Sequence, residues 1–170
     1  TLPTRRARSP LPHFDVAAGV IWRSGRILIA RRPPTGLLGG LWEFPGGKQE
    51  PGESLQQCLV RELCEELAIE IEVGELLMTV DHAYTHFRIT LHAFTCALLS
   101  GRPRAIGCTA WKWVLPRDLE FYAFPTANRR IIQQLLQRPA NPGETESRRP
   151  PDARHRSVVK EATSASRGAL

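Results

Sequence analysis

The apolar positions of this chain follow two different periods. Residues 15–22, DVAAGVIW, are apolar almost without interruption and predict a buried strand. Ser24-Gly25 reads as a hairpin turn, and residues 26–32, RILIARR, alternate well enough to be the partner strand. A loop rich in Pro and Gly covers residues 33–40, and residues 41–44 lead into the turn Pro45-Gly46-Gly47. Glycine lets the backbone approach a ligand closely, so a carbonyl in that turn is within reach of a metal. The period changes at Ser54. That residue is a good N-cap, Gln57 completes a capping box, and Leu55, Leu59, Leu63 and Leu67 form one stripe of an amphipathic helix.

Beyond the helix, residues 70–80 and 87–99 read as two long strands with Asp81 to His86 between them. Residues 101–110 form a loop and residues 110–114, AWKWV, a short strand. Residues 125–137 form a second amphipathic helix with Ile131, Ile132, Leu135 and Leu136 inward, and Pro125 stands where a first-turn proline belongs. Residues 1–14 read as a basic, Pro-rich linker or tail. From Pro139 to Leu170, Pro, Ser, Arg and Glu without periodicity predict a disordered tail. One domain is therefore expected over 15–138, of α+β or three-layer sandwich class.

The first helix carries the informative chemistry. With Leu59 as zero, Glu66 lies at about −20°, Glu62 at about −60° and Glu65 at about −120° around the axis. Glu66 thus points into the apolar side and Glu62 sits on its edge, whereas a solvated face would place its acids opposite the stripe. Carboxylates crowded along a buried edge repel one another and lose hydration, which is costly without a cation. Oxygen ligands in this number suit Mg²⁺ or Mn²⁺.

Gly47, Glu53, Arg61, Glu62, Glu65 and Glu66 match the Nudix box, and Leu63 and Ile69 fill its two aliphatic positions. The chain therefore resembles the Nudix hydrolases, with one departure: Ala68 stands where the family has glycine. The resemblance implies an α/β/α sandwich with a mixed β-sheet. It further implies a metal held by Glu62, Glu65, Glu66 and the Gly46 carbonyl, with Arg61 orienting the glutamates. Glu53 would help to hold them or accept a proton.

Charge adds little to this picture. The formal net charge is +6, but residues 15–138 are nearly balanced, with fourteen basic and thirteen acidic side chains. The excess sits in residues 1–14 and 139–170, so solvated ends are expected rather than a stable nucleic-acid partner. No apolar run is long enough to span a membrane, and the basic start lacks the apolar core of a signal peptide. Cys58, Cys64, Cys96 and Cys108 show no C-x-x-C spacing, which fits a reduced, cytoplasmic protein without zinc or an iron–sulfur cluster. The first residue, Thr1, fits either removal of an initiator Met or the end portion of a longer protein.

Two further stretches bear on substrate. The second helix opens with Phe124-Pro125-Thr126-Ala127-Asn128. An Asn amide has a donor and an acceptor and can read a purine edge; as a plain polar helix start it needs no such role. The segment is similar to the FPPAN of MutT-type 8-oxo-dGTP hydrolases, whose Asn binds the oxidised guanine. Arg32 matches that group's arginine ahead of the loop, there to meet phosphate or base. Glu43, Phe44, Pro45 and Gly46 match its substrate-lining EFPG. This resemblance spans about residues 15–137.

GLLGGLWEFPGGK together with HAYTHFRITLHAF is also similar to the C-terminal domain of A/G-specific adenine glycosylases, a Nudix-like reader of 8-oxoguanine. Tyr84-Thr85-His86 would lie in that domain's sensing loop; His82, His86 and His92 also read as strand and turn histidines without function, and for His92 that reading is preferred. A reader needs no catalytic box, and here the box is complete in its charged positions. One feature weighs the other way: MutT-type enzymes often place an acid in the loop before the last core strand, and residues 105–109 contain none. Glu50, Glu53 or Glu65 must then supply any further base. The expected activity is Mg²⁺-dependent cleavage of 8-oxo-dGTP to the monophosphate and pyrophosphate. The alternatives are an oxoguanine-binding module, or a Nudix hydrolase for another diphosphate such as an ordinary dNTP, CTP or a nucleotide sugar.

Overall fold

The computed structural model describes residues 10–137. The linker and tail expected over 1–14 and 139–170 fall almost wholly outside those residues. Residues 13 and 14, though, belong to the first strand.

That strand, β1 (His13–Arg23), turns through Ser24 and Gly25 into β2 (Arg26–Arg31). Both turn residues have positive φ, 50° and 73°, the signature of a type I′ hairpin whose twist matches its strands. Two short strands follow, β3 (Trp42–Glu43) and β4 (Gly46–Lys48), then helix α1 (Leu55–Leu67). The long hairpin β5 (Glu70–Ala83) and β6 (Arg88–Ser100) leads to β7 (Ala110–Val114), a 3₁₀ segment (Pro116–Phe121) and helix α2 (Thr126–Gln137).

All seven strands join one sheet of order β3-β2-β1-β6-β5, with β4 added to β1 and β7 to β2. The sheet is mixed: β1 and β6 run parallel over ten residue pairs, and the other pairings are antiparallel. Leu59, Leu63 and Leu67 of α1 pack with Ala17, Ile21 and Leu28 on one face. Ile131, Ile132 and Leu135 of α2 pack with Val20, Ile27 and Ile29 on the other. The result is the α/β/α sandwich with a mixed sheet, in which alternate residues of β1 and β2 serve opposite layers. Among the described residues no helix is long and apolar enough to cross a membrane.

Several expectations are corrected. Asp81, His82 and Ala83 continue β5 instead of forming the turn, because Thr90 on β6 donates its hydroxyl to Asp81 Oδ1 at 2.6 Å and the pairing persists to Arg88. The turn shrinks to Tyr84–Phe87, closed by Tyr84 N–H on the Phe87 carbonyl at 2.8 Å. Leu136, expected inward, is 39% exposed at the edge of the α2 stripe. Pro125 precedes α2 rather than opening it, and its carbonyl accepts from Arg129 N–H at 3.2 Å.

Candidate active site

The reciprocal capping box forms as the sequence predicts. Gln57 N–H donates to Ser54 Oγ at 3.1 Å and Ser54 N–H to Gln57 Oε1 at 2.9 Å, which fixes where α1 begins under β4. Arg61, two turns on, gathers the surrounding acids. Its Nη2 and Nε grip Glu53 at 2.7 and 3.0 Å, and its Nη1 donates to Glu62 at 2.9 Å and Glu65 at 3.3 Å. The planar guanidinium makes the two-point grip possible. Glu53 also accepts from Glu50 N–H at 2.8 Å. The Arg61 hydrogen bonds and then that backbone bond hold the Glu53 carboxyl down at about 2. Glu53 is therefore ionised and occupied, a poor base and a good anchor.

Glu62 has its carboxylate pressed against Gly47. A Cβ on Gly47 would fall 2.4 Å from the Glu62 carboxyl carbon, so only glycine admits the acid there. Gly46, beside it, pairs with Ala18 of β1, and a side chain at Gly46 would run into the Ala17 backbone. Glu66 stands one turn after Glu62. Burial first, then the charges of Glu43 and Glu62, push its pKa up to about 8. Glu43 is likewise raised by burial, opposed by Arg32, whose Nη1 reaches Glu43 Oε2 at 2.9 Å. Three carboxylates thus share a half-buried space without enough positive charge to balance them.

Glu65 is elsewhere. It is 61% exposed against 16% for Glu62, and it faces Arg61 and solvent. Among the described residues no three acids, histidines or cysteines are gathered as a ready-made metal cluster. Of the expected set of Gly46, Glu62, Glu65 and Glu66, Glu62 and Glu65 share Arg61 Nη1, Glu65 with its side chain largely exposed, while among the described residues Glu66 has no arginine hydrogen bond. The chemistry of Glu62 and Glu66 still fits a divalent cation, since both are carboxylates one turn apart and Glu66 carries repulsion and lost hydration that such a charge would relieve.

The loop before β7 meets this site directly. Ile106 and Gly107 donate their N–H groups to the Glu66 carbonyl at 3.1 and 3.0 Å, and Arg104 donates to Leu67 at 2.9 Å. These bonds satisfy carbonyls left open at the end of α1. A Cβ on Gly107 would lie 2.8 Å from Glu66 Cγ, so the loop closes on Glu66 where it carries no side chain. Cys108 follows, its thiol raised by burial and then by Glu66. Sequence reasoning searched this loop for an acid and missed both contacts. The pairing of β7 with β2, begun by Thr109 N–H on the Arg31 carbonyl at 3.0 Å, brings the loop here and is a long-range contact.

On the opposite face of the sheet, Asn128 is only 7% exposed, and its Oδ1 accepts from Phe44 N–H at 3.3 Å. That donor fixes which end of the amide is oxygen and leaves Nδ2 pointing away. Phe44 stacks on Phe124 with centroids 5.5 Å apart. Phe44 and Pro45, expected to line the substrate, are both buried, and Phe44 meets Asn128 through its backbone N–H. Arg32 is also more engaged than expected: besides Glu43 it holds the Leu37 carbonyl through Nε at 3.0 Å.

Comparison with known proteins matches residues 17–134 to a family model described as NUDIX domain. The CTP pyrophosphohydrolase of Escherichia coli is 38% identical over 123 residues, 72% of this chain and 91% of that protein. The 8-oxo-dGTP diphosphatase of Proteus vulgaris is 46% identical over 82 residues, 48% of this chain and 73% of that protein. The adenine DNA glycosylase of Homo sapiens is 28% identical over 137 residues, 77% of this chain but 25% of that protein. Among solved structures, the MutT NUDIX hydrolase from Burkholderia pseudomallei superposes with a TM-score of 0.66 at 29% identity, covering 72% of this chain and 98% of that one.

Proposed function

The chain belongs to the Nudix hydrolases, and from that premise we propose that it hydrolyses 8-oxo-dGTP to the monophosphate and pyrophosphate with Mg²⁺. The observation that carries the choice of base is the pinned amide of Asn128. One oxygen lone pair is taken by Phe44 N–H, which leaves the Nδ2 donor and a second lone pair on Oδ1. Guanine oxidised at C8 presents a carbonyl acceptor at O6 beside an N7–H donor, which matches that pair. Unoxidised guanine presents an acceptor at N7, and two lone pairs would then face each other. Cytosine presents an N4–H donor beside the N3 acceptor, which the same amide also matches, so Asn128 separates oxidised from unoxidised guanine and leaves CTP to the assay.

Glu62 and Glu66 would hold Mg²⁺, with Mn²⁺ as a substitute, and the bound ion supplies charge neutralisation at phosphate oxygens and a more acidic attacking water. Arg61 keeps Glu62 in place and anchors the loop through Glu53. Glu65 holds Arg61 by a single longer bond at 3.3 Å whereas Glu53 is gripped at two points, which makes Glu65 the stronger candidate for a base than Glu53. Arg32 meets the triphosphate by exchanging part of its bond to Glu43 for a phosphate oxygen. The mixed carboxylate cluster in register also separates this reading from a non-hydrolytic oxoguanine reader, which has no use for it.

A second reading, CTP as substrate, is favoured by the E. coli CTP pyrophosphohydrolase, whose likeness runs through nearly that whole protein. One assay decides. Pyrophosphate release is measured from 8-oxo-dGTP, dGTP and CTP, with Mg²⁺ and with EDTA, for the wild type and for Asn128→Ala. Metal-dependent preference for 8-oxo-dGTP that collapses in Asn128→Ala is the expected result. Faster turnover of CTP would replace the first reading with the second.

A further inference from the structure

The end of α1 is gripped by the loop that precedes β7, and the grip centres on Glu66. Ile106 and Gly107 both donate their N–H groups to the Glu66 carbonyl, at 3.1 and 3.0 Å, and Arg104 donates to the next carbonyl, that of Leu67, at 2.9 Å. The other end of the loop is tied to β2, where Thr109 N–H and Oγ1 share the Arg31 carbonyl at 3.0 and 3.3 Å. These bonds fix the backbone of Glu66. Its side chain meets Gly107, where a Cβ would lie 2.8 Å from Glu66 Cγ, 3.2 Å from its Cβ and 3.3 Å from its Cα. A carbon cannot approach Cγ that closely, so any side chain at position 107 would push either Glu66 or the loop aside.

Glycine is often required by a left-handed turn. Gly107 is not such a case, because its φ is not positive and alanine could adopt its backbone. What requires glycine there is Glu66. The arrangement repeats the one at Glu62, whose carboxylate is seated against Gly47 of β4. Each of the two acids assigned to the cation thus lies against bare backbone, one from the strand ahead of α1 and one from the loop behind it. We propose that Gly107 is a positioning residue for the metal site. It sets the direction of the Glu66 side chain, so that Glu62 and Glu66 meet one divalent cation without rearrangement. Gly107 itself touches neither the cation nor the nucleotide. A methyl group at position 107 would turn Glu66 or lift the loop from its carbonyl, and returning the carboxylate to the cation would then weaken binding. The inference rests on Glu62 and Glu66 holding the cation.

Mn²⁺ binding to the full chain is measured from the electron paramagnetic resonance signal of the free ion, for the wild type, Gly107→Ala and Glu66→Gln, beside melting curves in EDTA. Gly107→Ala should weaken Mn²⁺ binding at least about tenfold, the usual effect of disturbing a group that orients a metal ligand. The Mg²⁺ concentration for half-maximal turnover should rise by a similar factor, while KM for the nucleotide at saturating Mg²⁺ stays within about twofold. A glycine with a merely structural role would lower Tm in EDTA and leave the Mn²⁺ affinity of the folded protein unchanged, and that result overturns the proposal. Should the variant fail to fold, the wild type supplies a second test by hydrogen exchange. Mg²⁺ should slow exchange of the Ile106 and Gly107 amides more than that of the Tyr84 amide, which closes the β5–β6 turn. Equal slowing, or none, overturns the proposal as well. If Glu66→Gln binds Mn²⁺ as tightly as the wild type, the assignment of the cation to Glu66 falls and the role of Gly107 with it. If Glu66→Gln loses Mn²⁺ while Gly107→Ala keeps it, only the role of Gly107 falls.

Discussion

Arg61 decides which acids of the box remain available. It spends two nitrogens on Glu53, and shares a third between Glu62 and Glu65. Glu66 alone among the box acids has no arginine, and it is the one whose proton is held most strongly. A neutral glutamine at that place keeps the shape and removes the charge. Glu66→Gln is therefore expected to fold normally while turnover drops at least ~10²-fold, equivalent to a few kcal/mol of lost transition-state stabilisation. Steady-state kinetics across a Mg²⁺ series checks this, and near-normal turnover at saturating Mg²⁺ would remove Glu66 from the mechanism. The charge pattern on the helix revealed Glu62 and Glu66 in advance because placement against a leucine stripe is a local property of the sequence. The orientation of Glu65 was not legible, since it depends on which carboxylates reach Arg61 first in three dimensions.

Elements defined by local chemistry were the legible ones. The capping box and the stripe of α1, the Ser24-Gly25 hairpin and the strand 110–114 all depend on neighbours in sequence, and all formed. The end of β5 did not follow, because Asp81 and His82 look like turn residues until Thr90 and Ile89 pair with them across the hairpin. The 3₁₀ segment gave no periodic signal at all, and the burial of Phe44 and Pro45 behind Asn128 is a product of packing. Ala68 was legible in one respect. It marks where the family's glycine belongs, and the structure places it at φ 55°, ψ 39°, ending α1 in the left-handed region with its N–H on the Cys64 carbonyl at 3.1 Å. An alanine there stores roughly 1 kcal/mol that glycine avoids. Ala68→Gly should thus stabilise the domain by about 0.5–1 kcal/mol and raise Tm by a few degrees. Thermal denaturation monitored by circular dichroism checks it; a lower Tm would mean that the loop clamped on Glu66 and Leu67 relies on the alanine methyl group.

For the molecule as a whole, the site works against the fold until a cation arrives. The Glu66 carboxyl rises from the usual 4.5 to about 8 on folding, so the folded state binds its proton more tightly than the unfolded chain. Stability from this group is complete below pH 4.5 and is lost as pH rises toward 8, because the unfolded state sheds the proton first. Glu43, also raised, acts in the same direction. Glu53 acts oppositely: held at about 2, it stabilises above pH 4.5 and its contribution disappears as pH falls through 2. The metal-free protein should therefore be most stable in mildly acidic solution and lose Tm steadily toward pH 8. A divalent cation competes with the proton on Glu66 and binds only the folded state, so its stabilising effect should grow over the same interval. The check is a series of melting curves with EDTA and with Mg²⁺ across that range, run beside Glu66→Gln. The wild type should show a Mg²⁺-dependent rise in Tm that is large near pH 8 and small in acid, and the variant should keep only the part of the alkaline loss that Glu43 causes and show no rescue. Equal Mg²⁺ effects at both ends of the range would mean that the cation binds without displacing the Glu66 proton, and would move the metal site away from the Glu62–Glu66 pair.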